Sequence, residues 1–479
     1  MKIFIVILLF FANHALAQSE RPSEESMFGA PEKKSETKEK KQEDAFLSGA
    51  VKDNPLTIGG LLYQRLSGTV EQNVGASNTP ISAPLQFDLY LDGRPSDQVR
   101  GFVDTRLLYD STRDQYGNVT SGPNLGSTQY SSGGTAPSGL STTTTLVPLN
   151  PQTVLNETWI KFDLDQTVFV TAGKQHLKWG VSRFWNPTDF LTTQKRDPLL
   201  PYDLRLGNTM LKLAVPIEAK KTSFYAITLF DNPQPSSTLG QMGEALRAET
   251  VIGNTEIGVD AVYRGNVTPV YGADISSPLG PFDIYAESSY ITAPPNPLYQ
   301  IPGGTLNSSS DLSTQFTSTP LSNQLFQVSG GINYSFAWTD NRQATFGVEY
   351  FYNQLGYTNS NAYPVLLLLG QYQPFYLGRN YAGVYLTAEG PDKDKHTSYT
   401  FSTLGNLSDN SFISRIDFSW RFLTYLTFEA FVDGHYGTPG GEFYFSMNTP
   451  AVTYQGSSIP AVNVPLAVAD VGLALRLAL

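Results

Sequence analysis

Residues 167–205 read TVFVTAGKQHLKWGVSRFWNPTDFLTTQKRDPLLPYDLR. The stretch begins as an alternating strand and carries Lys174, His176 and Lys178 at every second position. Side chains alternate faces along a strand, so the three basic groups are expected on one side. Lipid is excluded for that side, because a cation at mid-bilayer is costly. The pattern breaks at Trp179-Gly180 into a Pro-rich loop holding Trp185-Asn186-Pro187-Thr188-Asp189. If the chain is a membrane barrel, the strand points a basic ladder at the lumen and the loop narrows the pore.

The flanking sequence supplies that barrel. Two-residue alternation recurs in Leu85, Phe87, Leu89 and Leu91, and in Ile257, Val259, Ala261 and Tyr263. It recurs again in Phe346, Val348, Tyr350 and Tyr352, and in Ile416, Phe418, Trp420 and Phe422. Each ribbon has one apolar and one polar face. A soluble sandwich would alternate in the same way, so the connections decide. The long ones (111–153, 180–207, 292–323, 355–378 and 435–463) fall on one side. The tight ones, such as Asp165-Gln166 and Gly253-Asn254, fall on the other. Outer-membrane barrels are built this way, with even strand numbers. The expected fold is all-β, a transmembrane antiparallel barrel over 56–479 with about 18 strands (16–20 span the boundary uncertainty).

The ends and the composition agree. Met1-Lys2, an apolar run from Ile3 to Ala12 and Ala15-Leu16-Ala17 read as a secretory signal cleaved before Gln18. Residues 18–55 mix acids and bases with few hydrophobes and read as a disordered periplasmic segment. The longest later aliphatic run, Val365–Leu369, is far short of the ~20 residues of a spanning helix. Charged residues are 16% and aromatics 12%, which suits a barrel with interfacial aromatic girdles. With a net charge of −11 and no long basic patch, nucleic acid is not an expected partner. The absence of cysteine excludes disulfides and thiolate metal sites. The last ten residues, Asp470 to Leu479, place leucines at alternate positions. They resemble the C-terminal strand signal of bacterial outer-membrane barrels, with Leu479 where an aromatic is usual, which implies the barrel-assembly machinery as a partner in biogenesis.

Gly173-Lys174-Gln175, Trp179-Gly180 and Trp185-Asn186-Pro187-Thr188-Asp189 resemble a motif of porin-like Gram-negative outer-membrane barrels, many of unknown substrate. The resemblance covers about 25 residues of motif and implies a channel without naming a solute. Lys174 stands where Arg is common, which keeps the charge but loses the bidentate fork. Between Lys174 and Lys221 nine Lys/Arg meet four acids, a local excess of five positive charges. Lys174, His176, Lys178, Arg183, Lys195, Arg196 and Arg205 are therefore the candidates for the channel lining or constriction. Rings of such residues favour anions; a lumen lined by both signs would select weakly.

No cofactor or metal is expected. His176, His396 and His435, the histidines beyond the signal, lie in no His-Glu-x-x-His motif and beside no G-x-S-x-G elbow. His435, near Asp433, is the first candidate for a barrel hydrolase. The expected function is passive or weakly selective diffusion of small hydrophilic solutes. A plugged barrel acting through its surface loops is the rival.

Overall fold

The computed structural model describes residues 55–113, 116–118, 146–148, 150–192, 194–200, 203–232, 234–235, 238–264, 267–292, 297–302, 304, 306–307, 311–321, 324–339, 342–391, 396–454 and 456–479. The expected signal and nearly all of the charged segment lie outside them. Eighteen strands form the wall: β1 Leu56–Glu71, β2 Pro84–Ser96, β3 Val99–Asp110, β4 Gln152–Leu164, β5 Val168–Gln175, β6 Asn208–Ile217, β7 Thr222–Leu229, β8 Gly243–Ile252 and β9 Thr255–Arg264. The second half comprises β10 Val267–Leu279, β11 Phe282–Ile291, β12 Leu325–Thr339, β13 Arg342–Asn353, β14 Asn380–Glu389, β15 Thr397–Asn406, β16 Ser411–Leu423, β17 Leu426–Gly437 and β18 Ala467–Ala478. Each pairs antiparallel with its neighbours in sequence, and β1 pairs with β18 from Leu61↔Ala478 to Glu71↔Ala467, so the sheet closes. Closure leaves no edge strand.

Burial is inverted relative to a soluble protein. Ile58, Ile160, Val259, Ile275, Ile416 and Leu473 are exposed on the outer face. Asp88, Arg106, Arg247, Asp260, Glu287, Glu349, Arg415 and Asp433 are buried on the inner one. That is the arrangement a membrane barrel needs.

The expected strand over 167–179 stops early. Gln175↔Asn208 is the last rung between β5 and β6, and beyond it the chain leaves the sheet. The basic ladder therefore does not form. Within β5, Lys174 is in register with Thr158 and Thr209, on the face that carries exposed Ile160 and half-buried Leu211. It lies on the outer surface near the rim rather than in the lumen.

At the long-loop end, Val365–Leu369 contributes to one short helix, α1 (Tyr363–Leu368). Tyr363, Val365, Leu366 and Leu368 pack with Tyr299, Leu312, Leu377, Met447, Val452 and Ile459 from neighbouring loops. Apolar side chains on surface loops are stable in water only by burying one another, so these loops fold together as a cap.

Candidate functional site: a loop moored across the lumen

The segment 176–207 leaves β5 and returns as β6, but its midpoint is fastened to β11 and β13. Those strands lie six and eight places around a ring of eighteen, so the loop crosses the lumen. Two carboxylates hold it there. Glu287 on β11 accepts hydrogen bonds from the Ser182 amide at 2.9 Å and the Asn186 side chain at 3.0 Å. It also accepts from the amide (3.3 Å) and the hydroxyl of Thr188. Glu349 on β13 accepts from the amides of Arg183 (2.8 Å), Phe184 (3.1 and 3.2 Å) and Trp185 (2.9 Å). The Tyr285 hydroxyl adds a fourth donor group at 2.9 Å. Successive backbone N–H groups aimed at one oxygen pair form an anion nest. The nest satisfies charges that are 2% and 1% exposed and would otherwise be expensive to bury.

Local sequence makes this docking possible. Gly180 has φ +93°, and a Cβ there would collide with Glu287 Oε2. Only glycine lets that carboxylate approach the loop. Trp185 is fully buried, stacks 5.8 Å from Phe351 at 14° and donates through Nε1 to the Phe375 carbonyl at 2.9 Å. Trp179 packs with Leu191 of the same loop and with Met210 and Ile227 on the opposite wall. The two tryptophans brace the two ends of the crossing. Asn186 donates back to the Ser182 carbonyl at 2.7 Å, and Pro187 is buried between Asn186 and Thr188.

The predicted basic residues divide. Arg205 is an internal clamp: it meets Asp189 at 2.7 Å and Asp203 at 2.6 Å, with its side chain 4% exposed. Burial works against ionising Asp203, but the Arg205 hydrogen bonds win and hold its carboxyl down to about 2. His176 lies 3.5 Å from the same Asp203, and its amide donates to Glu157 at 3.2 Å. Lys178, Lys195 and Arg196 are half-buried, and Lys195 sits 5.4 Å from the Tyr376 ring. Arg183 alone among the candidates is exposed. Its guanidinium lies 3.8 Å from the centre of the Tyr385 ring.

The anchors Glu287 and Glu349 were not singled out by sequence as site residues. Each is an inward acid on an alternating strand, and its partners lie 99–105 and 164–166 residues away. Elsewhere the wall is zipped by ion pairs. Arg247 on β8 bonds Glu249, Asp260 on β9 and Asp274 on β10 at 2.6–2.9 Å. Arg106 bonds Asp88 through two nitrogens at 2.9 Å each and reaches the loop at the Leu204 carbonyl. Among the described residues no group of three His, Cys, Asp or Glu is arranged to hold a metal.

No family model and no curated protein matches the chain. Among solved structures it is similar to a triple mutant of Rhodopseudomonas blastica porin (TM-score 0.40, 10% identity, 88% of this chain and 100% of that one). It is likewise similar to a structure described as "Asymmetric conductivity of engineered proteins" (TM-score 0.40, 10% identity, 88% and 100%). A further variant of the Rh. blastica porin matches at a TM-score of 0.39 with the same identity and coverage.

Proposed function

We propose that the chain is an outer-membrane channel for small hydrophilic solutes, with the 176–207 loop as its constriction. The supporting observation is a closed barrel of eighteen strands, polar inside and apolar outside, whose inner loop is moored to the far wall. A barrel of this strand number has room for an aqueous path. Arg183 has no carboxylate at ion-pair distance among the described residues, and it supplies a positive edge that favours anions. Lipid vesicles containing refolded residues 18–479 should swell in small neutral sugars and resist larger ones. Vesicles that stay tight with folded barrel inserted would contradict the channel.

The cap favours a second reading, a plugged barrel acting through its loops, because those loops own a hydrophobic cluster of thirteen buried residues among those described. A barrel hydrolase using His435 is not supported. Its Nδ1 faces the Phe443 carbonyl at 2.7 Å and its Nε2 faces Asp470 at 2.9 Å. Neither nitrogen is left to take a proton from a nucleophile.

A further inference from the structure

One row of the inner wall holds charge that the protein does not neutralise. Strand register aligns Arg100 on β3, Lys161 on β4, Thr171 on β5 and Lys212 on β6 as successive cross-strand neighbours. All four share the inner face. Arg100 and Lys161 share it with Phe102 and Trp159, and Lys212 shares it with the buried Met210. Arg100 is paired to Asp92 at 2.8 Å. Lys161 and Lys212 have no carboxylate at ion-pair distance among the described residues. Asp163, the nearest acid along β4, instead accepts from the Gln166 amide at 3.0 Å and closes the turn. Arg100 and Lys161 are like charges directly opposite on neighbouring strands, which destabilises a sheet, and Lys212 adds a third cation two strands beyond Lys161.

Beside the lysines runs an apolar strip. Tyr90, Phe102 and Trp159 sit side by side on β2, β3 and β4, with centroids 5.9 and 5.3 Å apart. The Lys161 ammonium lies 5.5 Å from the Phe169 ring, and the Arg100 guanidinium 5.3 Å from Trp159. The row lies four residues, roughly 13 Å along β5, from the point where the constriction loop departs, towards the short-turn end.

We infer that Lys161, Thr171 and Lys212, with Phe169 and Trp159, form a subsite in the channel wall for small aromatic carboxylates. The carboxylate lies between the two ammonium groups with the Thr171 hydroxyl beneath it. The ring rests on the aromatic strip. Adjacent strands are about 4.8 Å apart, which puts the two lysine backbones about 10 Å from each other. One carboxylate can span that gap at the ends of two extended side chains. Binding relieves the like-charge repulsion built into the row. The inference rests on the channel reading for its role, but not for the existence of the site.

The test uses benzoate, with acetate and benzyl alcohol as probes that each lack one half of the recognition. In planar bilayers benzoate should block the current of wild-type residues 18–479. The half-blocking concentration should rise at least about tenfold in K161Q/K212Q, the loss expected for one charge-assisted hydrogen bond, and recover in Lys161→Arg. Acetate and benzyl alcohol should block more weakly than benzoate. Equal block in wild type and the double variant overturns the subsite and leaves the channel standing. Equilibrium dialysis of labelled benzoate against the refolded barrel in detergent reads the site without conduction. Saturable binding lost in the double variant sustains the subsite even if no current flows, and no saturable binding overturns it.

Discussion

The inner wall at β8–β10 and the inner wall at β3–β6 both carry charge and treat it in opposite ways. At β8–β10 the Arg247 guanidinium is enclosed by three carboxylates within 2.9 Å, and the cluster is nearly inaccessible. At β3–β6 two lysines face each other across Thr171 with no counter-charge among the described residues. Cross-strand ion pairs stabilise a sheet and like-charge neighbours weaken it, so the first patch stabilises the barrel and the second carries the charge that the proposed carboxylate would neutralise. The moored loop belongs with the first kind, since its carboxylates are saturated with donors.

The contrast can be broken most forcefully at Arg247. Replacing it with Met leaves Asp260 and Asp274 buried without this cation, and denaturant unfolding of the refolded barrel should show a loss of about 3–5 kcal/mol. Glu349→Gln comes next. A side-chain amide puts one N–H against the amides of residues 183–185, so the loop should detach at a cost of about 2 kcal/mol. Faster hydrogen exchange at those amides and a larger single-channel conductance would report it. Unchanged exchange would mean that Glu287 and Trp185 carry the mooring without Glu349. Lys161→Gln sharpens the comparison by sign: here removing a charge should leave stability unchanged or raise it, by roughly 0–1 kcal/mol.

The most local effect concerns the cap. Burial, reinforced by neighbouring Asp409 and opposed by the Tyr381 hydroxyl at 2.5 Å, pushes the Glu442 carboxyl up to about 8. An unfolded glutamate titrates near ~4.3, so between those values the folded state holds a proton that the unfolded state has lost. Stability from this group is therefore full below about pH 4 and declines as pH rises through about 8. Protection of the amides in 438–446, taken relative to their intrinsic exchange at each pH, should fall over that window in wild type and stay constant in Glu442→Gln.

Most of the wall is legible in the amino-acid sequence. The alternating ribbons at 85–91, 257–263, 346–352 and 416–422 all lie within wall strands, because a sheet with lipid on one side and water on the other writes its period directly into the chain. The pattern misleads at β5, where Lys174, His176 and Lys178 keep the two-residue spacing after the strand has lost its partner at Asn208. Spacing records a face only while the ladder lasts. The motif marks where the loop lies, but not its chemistry. Arg205 reads as a lumen cation, yet it closes on Asp189, in the same loop, and on Asp203 two residues away. Nothing local sets Glu287 and Glu349 apart, because the groups they hold come from residues 182–188, about 100 and 165 positions away. The row from Arg100 to Lys212 spans 112 residues and exists only through four-strand register, which no local pattern encodes.

A channel of this kind requires a water-filled path past a loop with a positive edge. Single-channel recording of refolded residues 18–479 in a planar bilayer under a KCl gradient tests it directly. The expected result is a stable conductance whose reversal potential favours chloride, with a shift towards potassium in Arg183→Glu. A folded, inserted barrel that passes no current, or one whose reversal potential favours potassium from the start, would contradict it.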